Sequence, residues 1–218
     1  MNAHIVFTHP NLQSFNGQMR NIAIQTLEEL GWNVSVSDLH QMKFKAAADD
    51  DFTSLYNENF FDLQKEQSMA LQNHSFNEDI KREHQLLHEA DLIIFQFPVW
   101  WESMPALMKG YIDRVFSMGW AYGGGKALAG KSVLVSTTTG APDFVWIPEN
   151  RWTIKDTFKH LFIGTFGLCG MQSLEPFIAY GAKRMTEEDK KLTFEKYKQY
   201  LKEVTENMSK ANPANCVS

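Results

Sequence analysis

The sequence predicts an α/β fold in which a doubly wound sheet of five parallel strands is covered by helices on both faces. Short apolar runs alternate with amphipathic segments along the chain, as is typical of parallel strands joined by crossover helices. The clearest buried strand, residues 91–96, has the apolar centre typical of a strand that is covered on both sides. We expect the strand order 2-1-3-4-5, a single domain over residues 1–208 and a C-terminal tail over residues 209–218.

The first half of the chain supplies three of the strands. Residues 4–7 form the first strand, and apolar residues at helical spacing predict a helix over 17–30. An alternating segment over 32–37 is the second strand, and a helix over 77–90 leads into the third strand. The polar stretch between residues 38 and 77 also holds several aromatic side chains, so we expect a long ordered excursion and not a free linker.

The second half continues the alternation. We predict a helix over 105–116, a strand over 132–136, a helix over 152–168, a strand over 173–180 and a helix over 186–208. Pro105 suits the first turn of its helix, because the missing N–H has no partner there in any case. Thr186 and Asp189 have the spacing of a capping box at the start of the last helix.

The loop after the first strand, residues 8–16, is the first of three that carry unusual residues. Ligands of doubly wound sheets bind at the carboxyl edge of the strands, where this loop opens a helix. Its hydroxyl and amide groups at a helix start suit a phosphate group. The alternative is an ordinary turn capped by Ser14 or Asn16. The loop is neither a Gly-x-Gly-x-x-Gly nor a Walker sequence, which disfavours a bare dinucleotide fold and an ATPase.

The loops after the third and fourth strands complete this edge. Trp100 and Trp101 are adjacent after the third strand, and their flat rings suit a flat ligand such as a flavin or a quinone. The alternative is that both tryptophans pack under the following helix. After the fourth strand, Thr138, Thr139 and Gly140 offer hydroxyl and backbone donors that could stabilise negative charge on a reduced flavin.

Composition argues against several other classes of protein. The net charge of −5 disfavours nucleic acid as a partner, and no apolar run approaches the ~20 residues of a membrane span. The N-terminus does not resemble a signal peptide, so we expect a cytoplasmic protein. Cys169 and Cys216 lack the spacing of a disulfide or metal motif, and we expect inert thiols. His84 and His88 lie four apart on a predicted helix, but no further ligand is evident, and we predict no metal site.

The residues of the three loops resemble the NAD(P)H quinone dehydrogenase family of flavodoxin-like proteins. The resemblance runs in blocks from the start of the chain to about residue 180. The matching segments are THPNLQSFN (8–16), GWNVSVSDL (31–39), ADLIIFQFPVWWESMPALMKGYIDRVF (90–116), WAY (120–122), STTTGA (136–141) and CGMQSLEP (169–176).

The resemblance implies a cofactor, a reaction and a set of site residues. It implies FAD, with FMN less expected, at a homodimer interface, and NADPH or NADH as the donor for two-electron reduction of a quinone. It also implies that Trp101 and Tyr122 are the catalytic residues, acting as walls of the substrate pocket. The residues expected to contact the cofactor are His9, Ser14, Phe15, Asn16, Pro98, Val99, Trp100, Trp101, Thr138, Thr139, Gly140 and Ala141.

The sequence also departs from the family pattern. The loop over 142–152 lacks the Tyr and His that the mammalian enzymes place there, so backbone donors or Arg151 would have to stabilise the reduced flavin. Glu102 stands where the mammalian relatives have an aromatic residue. Two other functions stay open: a flavin-binding regulatory subunit of a potassium efflux system, and a flavodoxin-type electron carrier. The modest charge of −5 counts against the carrier, which normally has a strongly acidic surface.

Overall fold

The computed structural model describes residues 1–49, 51–147, 149 and 152–211, and its centre is a parallel sheet. The strand order β2-β1-β3-β4-β5 confirms the prediction, and β6 also pairs with β4. All pairings are parallel; Ile94 of β3, for example, lies between Ile5 of β1 and Leu134 of β4. The strands are β1 (Asn2–Phe7), β2 (Asn33–Asp38), β3 (Leu92–Pro98), β4 (Ser132–Thr138), β5 (Gln172–Ser173) and β6 (Phe177–Ala179).

The predicted fifth strand is divided in two. β5 pairs with the start of β4 and β6 with its end, so both lie at the same edge of the sheet. Pro176 stands between them and has no N–H to donate to β4, which interrupts the ladder. The prediction of one continuous strand over 173–180 was therefore wrong in this detail, although its place in the sheet was right.

Helices cover both faces of the sheet, as predicted. They are α1 (Phe15–Glu29), α2 (Leu63–Asn73), α3 (Glu78–Glu89), α4 (Ala106–Val115), α5 (Ile154–Thr157) and α6 (Glu187–Ala211). Between α5 and β5 the chain forms a π-helix (His160–Phe166), so the helix predicted over 152–168 is irregular. Thr186 and Asp189 make the predicted capping box, because each side chain accepts a hydrogen bond from the backbone N–H of the other.

The boundary of the predicted tail needs one correction. Helix α6 was predicted to end at residue 208, but it continues to Ala211. The remainder of the tail lies outside the described residues, and so do Cys216 and Arg151. That residues 1–208 form one domain stays a prediction. No helix of the described part is long and apolar enough to cross a membrane.

Two apolar layers hold the sheet to its helices. Side chains of β1 and β3 alternate between them, as expected for strands buried on both faces. Ile5 and Ile94 pack with Met19 of α1 and Leu201 of α6 in one layer. Phe95, on the other face, packs against Phe166 of the π-helix with ring centroids 5.2 Å apart. The carboxyl edge of the strands is left open between these layers.

A buried arginine holds the excursion after β2 to the rest of the fold. The Arg114 guanidinium, 2 % exposed, donates to Asp51 at 2.5 Å, to Asp79 at 2.9 Å and to the Lys45 carbonyl at 2.9 Å. It also lies 4.6 Å from the ring centroid of Phe44. Arg114 therefore helps to order the excursion, which, as expected, is not a free linker.

Candidate functional site

A cavity of about 480 Å³ opens at the carboxyl edge of the sheet, where the three predicted loops meet. Its volume lies within the range of small-molecule sites. Ten of the twelve residues expected to contact a cofactor line it: His9, Ser14, Phe15, Asn16, Pro98, Val99, Trp100, Thr138, Thr139 and Gly140. The two that do not are Trp101 and Ala141.

The first loop directs the start of α1 at this cavity. Ser14 is the N-cap, and its hydroxyl oxygen accepts from the Gly17 N–H at 3.0 Å. A Cβ on Gly17 would lie 2.2 Å from the Leu12 carbonyl oxygen, so the loop approaches the helix as closely as glycine permits. Burial lowers the pKa of His9, which leaves a neutral ring whose Nδ1 accepts from the Asn11 N–H at 3.0 Å. Free backbone donors at a helix start favour an anionic group here.

A chain of buried polar side chains lies beneath the cavity, and two of its members, Asn16 and Thr138, line it. The Asn16 amide nitrogen donates to the Thr138 hydroxyl oxygen at 3.0 Å. The Gln96 amide nitrogen donates to the Asn16 carbonyl oxygen at 2.9 Å, and the Tyr197 hydroxyl contacts Gln96 Oε1 at 3.4 Å. This chain joins β3, β4, α1 and α6 underneath the site.

Thr139 has a different role from that of Thr138. Its hydroxyl donates to the Ala141 carbonyl at 2.5 Å and accepts from the Gly181 N–H at 3.2 Å. Its backbone N–H donates to the Ala179 carbonyl at 3.0 Å. The Thr139 hydroxyl therefore joins the loop after β4 to the loop after β6, whereas the Thr138 hydroxyl oxygen accepts from Asn16.

The second loop contains a tight turn at the rim of the cavity. Trp100 and Ser103 exchange backbone hydrogen bonds of 2.9 and 3.0 Å around Trp101 and Glu102. Both central residues have positive φ, 49° and 56°, as in a type I′ turn, where glycine and asparagine are preferred. Trp100 faces the cavity, 6.3 Å from the His9 ring, whereas Trp101 is 100 % exposed. Within one chain, Trp101 is thus not a wall of the cavity.

Tyr122 lies in a second cleft, apart from the first. This cleft, of about 240 Å³, is also lined by Phe116, Leu168 and Cys169. Burial raises the pKa of Cys169 to about 11, so the thiol stays protonated and unreactive, as expected. A single chain therefore does not bring Tyr122 together with the other predicted site residues.

Sequence reasoning missed five residues that line the main cavity: Gln13, Gln18, Ala182, Lys183 and Lys190. Lys190 lies in the first turn of α6, where it makes an ion pair with Glu187 at 2.6 Å. The helix begins after a strand at the carboxyl edge of the sheet, where ligands bind. The position of Lys190 at the start of this helix could have indicated that its side chain reaches the site.

His84 has a structural role. Its Nε2 lies 2.9 Å from the Val115 carbonyl, and its ring stacks on Trp120 at 3.9 Å between centroids. Burial lowers its pKa to about 4, so the ring is neutral. Among the described residues, no three His, Cys, Asp or Glu side chains come together in a way that could hold a metal ion.

Comparison with known proteins agrees with this geometry. Residues 1–204 match the family described as having a flavodoxin-like fold. The mouse (Mus musculus) ribosyldihydronicotinamide dehydrogenase [quinone] is 34 % identical over 97 % of this chain and 94 % of its own length. The chain belongs to the NAD(P)H quinone dehydrogenase family of flavodoxin-like oxidoreductases.

Two further comparisons show how far the similarity extends. NAD(P)H dehydrogenase [quinone] 1 of Cavia porcellus is 34 % identical over 82 % of this chain and 68 % of its own length. A solved structure from Klebsiella pneumoniae, assigned as a quinone reductase, superimposes with a TM-score of 0.88 at 30 % identity. It covers 94 % of this chain, and this chain covers 85 % of it. The family similarity therefore includes every element that forms the cavity.

Proposed function

We propose that this chain is a cytoplasmic NAD(P)H-dependent flavin oxidoreductase that reduces quinones through FAD in a ping-pong mechanism. The observation that carries the proposal is the cavity at the carboxyl edge of the sheet. The N-terminus of α1, the indole ring of Trp100 and the buried hydroxyl of Thr138 meet there. The names of the relatives support the choice of a quinone as acceptor. When bound, the flavin supplies the redox chemistry by accepting a hydride from NAD(P)H and passing it, with a proton, to the quinone.

The residues of the cavity fit such a cofactor. The start of α1 with Ser14, Phe15 and Asn16 would hold the phosphate and ribityl groups through backbone N–H donors. Trp100, with the backbone of Pro98 and Val99, would pack against the isoalloxazine ring. Thr138 and the backbone of Gly140 would donate to the pyrimidine side, where the reduced ring carries negative charge. These donors replace the Tyr and His pair that the loop after β4 lacks.

Lys183 and Lys190, the two lysines that line the cavity, would bind the pyrophosphate of FAD. We expect Lys190→Ala to weaken FAD binding about 10-fold, because a charge-assisted hydrogen bond to phosphate is lost. Fluorescence titration of the flavin-free protein measures this affinity. Lys191→Ala is the control, since Lys191 is the adjacent exposed residue and does not line the cavity. Equal affinities of the two variants would contradict a role for Lys190.

A homodimer would bring Tyr122 to the flavin. Its cleft is separate from the cavity in one chain, and the surface near it includes Leu168, 65 % exposed. The excursion adds Tyr56, Phe60 and Phe61, all of them large apolar side chains that are exposed in one chain. We therefore propose that the partner's cleft closes the site, with Trp101 and Tyr122 as walls of the quinone pocket.

Two substitutions test the role of Tyr122. We expect Tyr122→Ala to raise the KM for a quinone several-fold while leaving flavin reduction by NAD(P)H unchanged, because a wall of the acceptor pocket is removed. Tyr122→Phe keeps the wall and should behave almost as the unmodified enzyme. Steady-state quinone kinetics give the measurement. Unchanged kinetics in both variants would remove Tyr122 from the site.

The proposed function is tested by the absorbance spectrum of the purified protein, followed by anaerobic addition of NADH or NADPH. We expect flavin bands that bleach on mixing and return when a quinone is added. Analysis of the released cofactor distinguishes FAD from FMN. A protein that binds no flavin, even after reconstitution, would overturn the proposal. Bound flavin that neither nucleotide reduces would favour the electron carrier or the regulatory subunit of a potassium efflux system.

A further inference from the structure

We infer that Gln96 and Tyr197 are positioning residues that orient the Asn16 amide and the Thr138 hydroxyl toward the bound flavin. Neither Gln96 nor Tyr197 lines the cavity, and both lie in the core beneath it. The inference rests on the proposed function, because it assigns these residues a role toward the same cofactor.

The buried hydrogen bonds run in one direction. Tyr197 donates to Gln96 Oε1, Gln96 Nε2 donates to Asn16 Oδ1, and Asn16 Nδ2 donates to Thr138 Oγ1. In both Gln96 and Asn16, the amide oxygen accepts a hydrogen bond from the direction of Tyr197. The amide nitrogen donates a hydrogen bond in the direction of the cavity. Burial raises the pKa of Tyr197, so the phenol at the far end of the series stays protonated and can donate to Gln96.

This order of hydrogen bonds determines where the Thr138 hydroxyl can donate. Because its oxygen already accepts from Asn16, its own hydrogen is directed elsewhere, and the described residues offer no acceptor for it. Thr138 lines the cavity, so an acceptor atom of the ligand would complete the series. A reversed amide at Gln96 or Asn16 would turn the Thr138 hydroxyl back to Asn16 and remove this donor from the site. By donating to Asn16 Oδ1 and Gln96 Oε1, respectively, Gln96 and Tyr197 hold the order in which Thr138 can donate to the ligand.

Burial stabilises this order of hydrogen bonds. Gln96 and Tyr197 are fully buried and Asn16 is 2 % exposed, so water does not compete for their polar atoms. An unpaired amide in such a place is costly, which disfavours mixed orientations. The bond from Tyr197, at 3.4 Å, is the longest of the three, so Tyr197 should contribute less than Gln96.

The test is a double-mutant cycle on FAD affinity, with FMN as a second probe. We expect Gln96→Leu to weaken binding about 10-fold, and Tyr197→Phe about 3-fold, because the donor order is lost. In a Thr138→Val background, which has no hydroxyl to orient, each of these losses should shrink to less than about 2-fold. Tyr200→Phe is the control, because Tyr200 lies on the same helix and donates to the Glu175 carbonyl instead.

Two further measurements separate positioning from a general loss of structure. The visible spectrum of bound flavin should change in Gln96→Leu and not in Tyr200→Phe, while thermal unfolding shows whether each variant is folded. If Gln96→Leu does not fold, the cycle with Tyr197→Phe decides. If Gln96→Leu and Tyr197→Phe weaken FAD binding by the same factors in the Thr138→Val background as in the unmodified protein, the inference is wrong. The proposed function would be unaffected by that result. Absence of flavin binding in the unmodified protein would overturn both.

Discussion

Gly17→Ala is expected to lower the rate of quinone reduction by about 100-fold, because displacements of ~1 Å in a positioned site cost that much. The added Cβ would lie 2.2 Å from the Leu12 carbonyl oxygen and 2.6 Å from the carbonyl carbon. Both are backbone atoms, so no flexible side chain can move aside. The loop or the first turn of α1 must shift instead, and with it Ser14 and the donors that face the cavity.

The measurement is steady-state turnover together with FAD affinity of the flavin-free protein. Gln25→Ala on the same helix provides a control, because Gln25 is exposed and does not line the cavity. We expect that control to fold and to bind FAD normally. Normal turnover in Gly17→Ala would show that the loop over residues 8–16 does not need this close approach to build the site.

Arg114→Met is expected to reduce the free energy of unfolding by about 3–5 kcal/mol, the cost of removing one partner from a buried ion pair. The methionine roughly fills the space of the side-chain stem, but Asp51 would then keep a buried carboxylate without its cation. Burial already raises the pKa of Asp51 against the opposing effect of Arg114. Without Arg114, the Lys45 carbonyl and Asp79 also lose their donor.

Urea denaturation followed by circular dichroism measures this loss. Lys109→Ala on the same helix is the control, because its ion pair with Asp113 is exposed and such pairs contribute less than about 1 kcal/mol. Since the excursion carries Tyr56, Phe60 and Phe61, Arg114→Met should also weaken self-association. A loss of stability no larger than that of Lys109→Ala would mean that the other contacts of the excursion hold it without Arg114.

The sequence was sufficient to predict the fold because most elements follow a simple pattern. β3 is apolar except for Gln96 and has all seven residues buried, and α1 has its apolar residues at helical spacing. Helix α2 was missed because Glu66 and Gln67 are among its buried residues, so apolar spacing does not indicate it. Glu66 is buried because its carboxylate accepts from the Tyr56 and Asn57 N–H groups, a contact that a pattern cannot show.

The same contrast holds for the candidate site. The loops were predictable, because the carboxyl edge of a doubly wound sheet follows from the order of elements. The directions of single side chains were not. Trp101 is turned out of the cavity by a turn with positive φ, which neither Trp101 nor Glu102 would suggest. Thr139 looks identical to Thr138 in sequence, yet its hydroxyl ties two loops together.

Helix α6 connects the rim of the cavity to the interior of the molecule. Its first turn carries Lys190, Phe194 packs on Phe15 at 4.6 Å between ring centroids, and Tyr197 reaches the core. A ligand held at Lys190 would therefore restrain the last helix as well as the loops, and its binding energy would add to the stability of the whole chain. Amide hydrogen exchange should slow along α6 when the cavity is filled, so the C-terminal end of the protein reports on occupancy at a distant edge of the sheet.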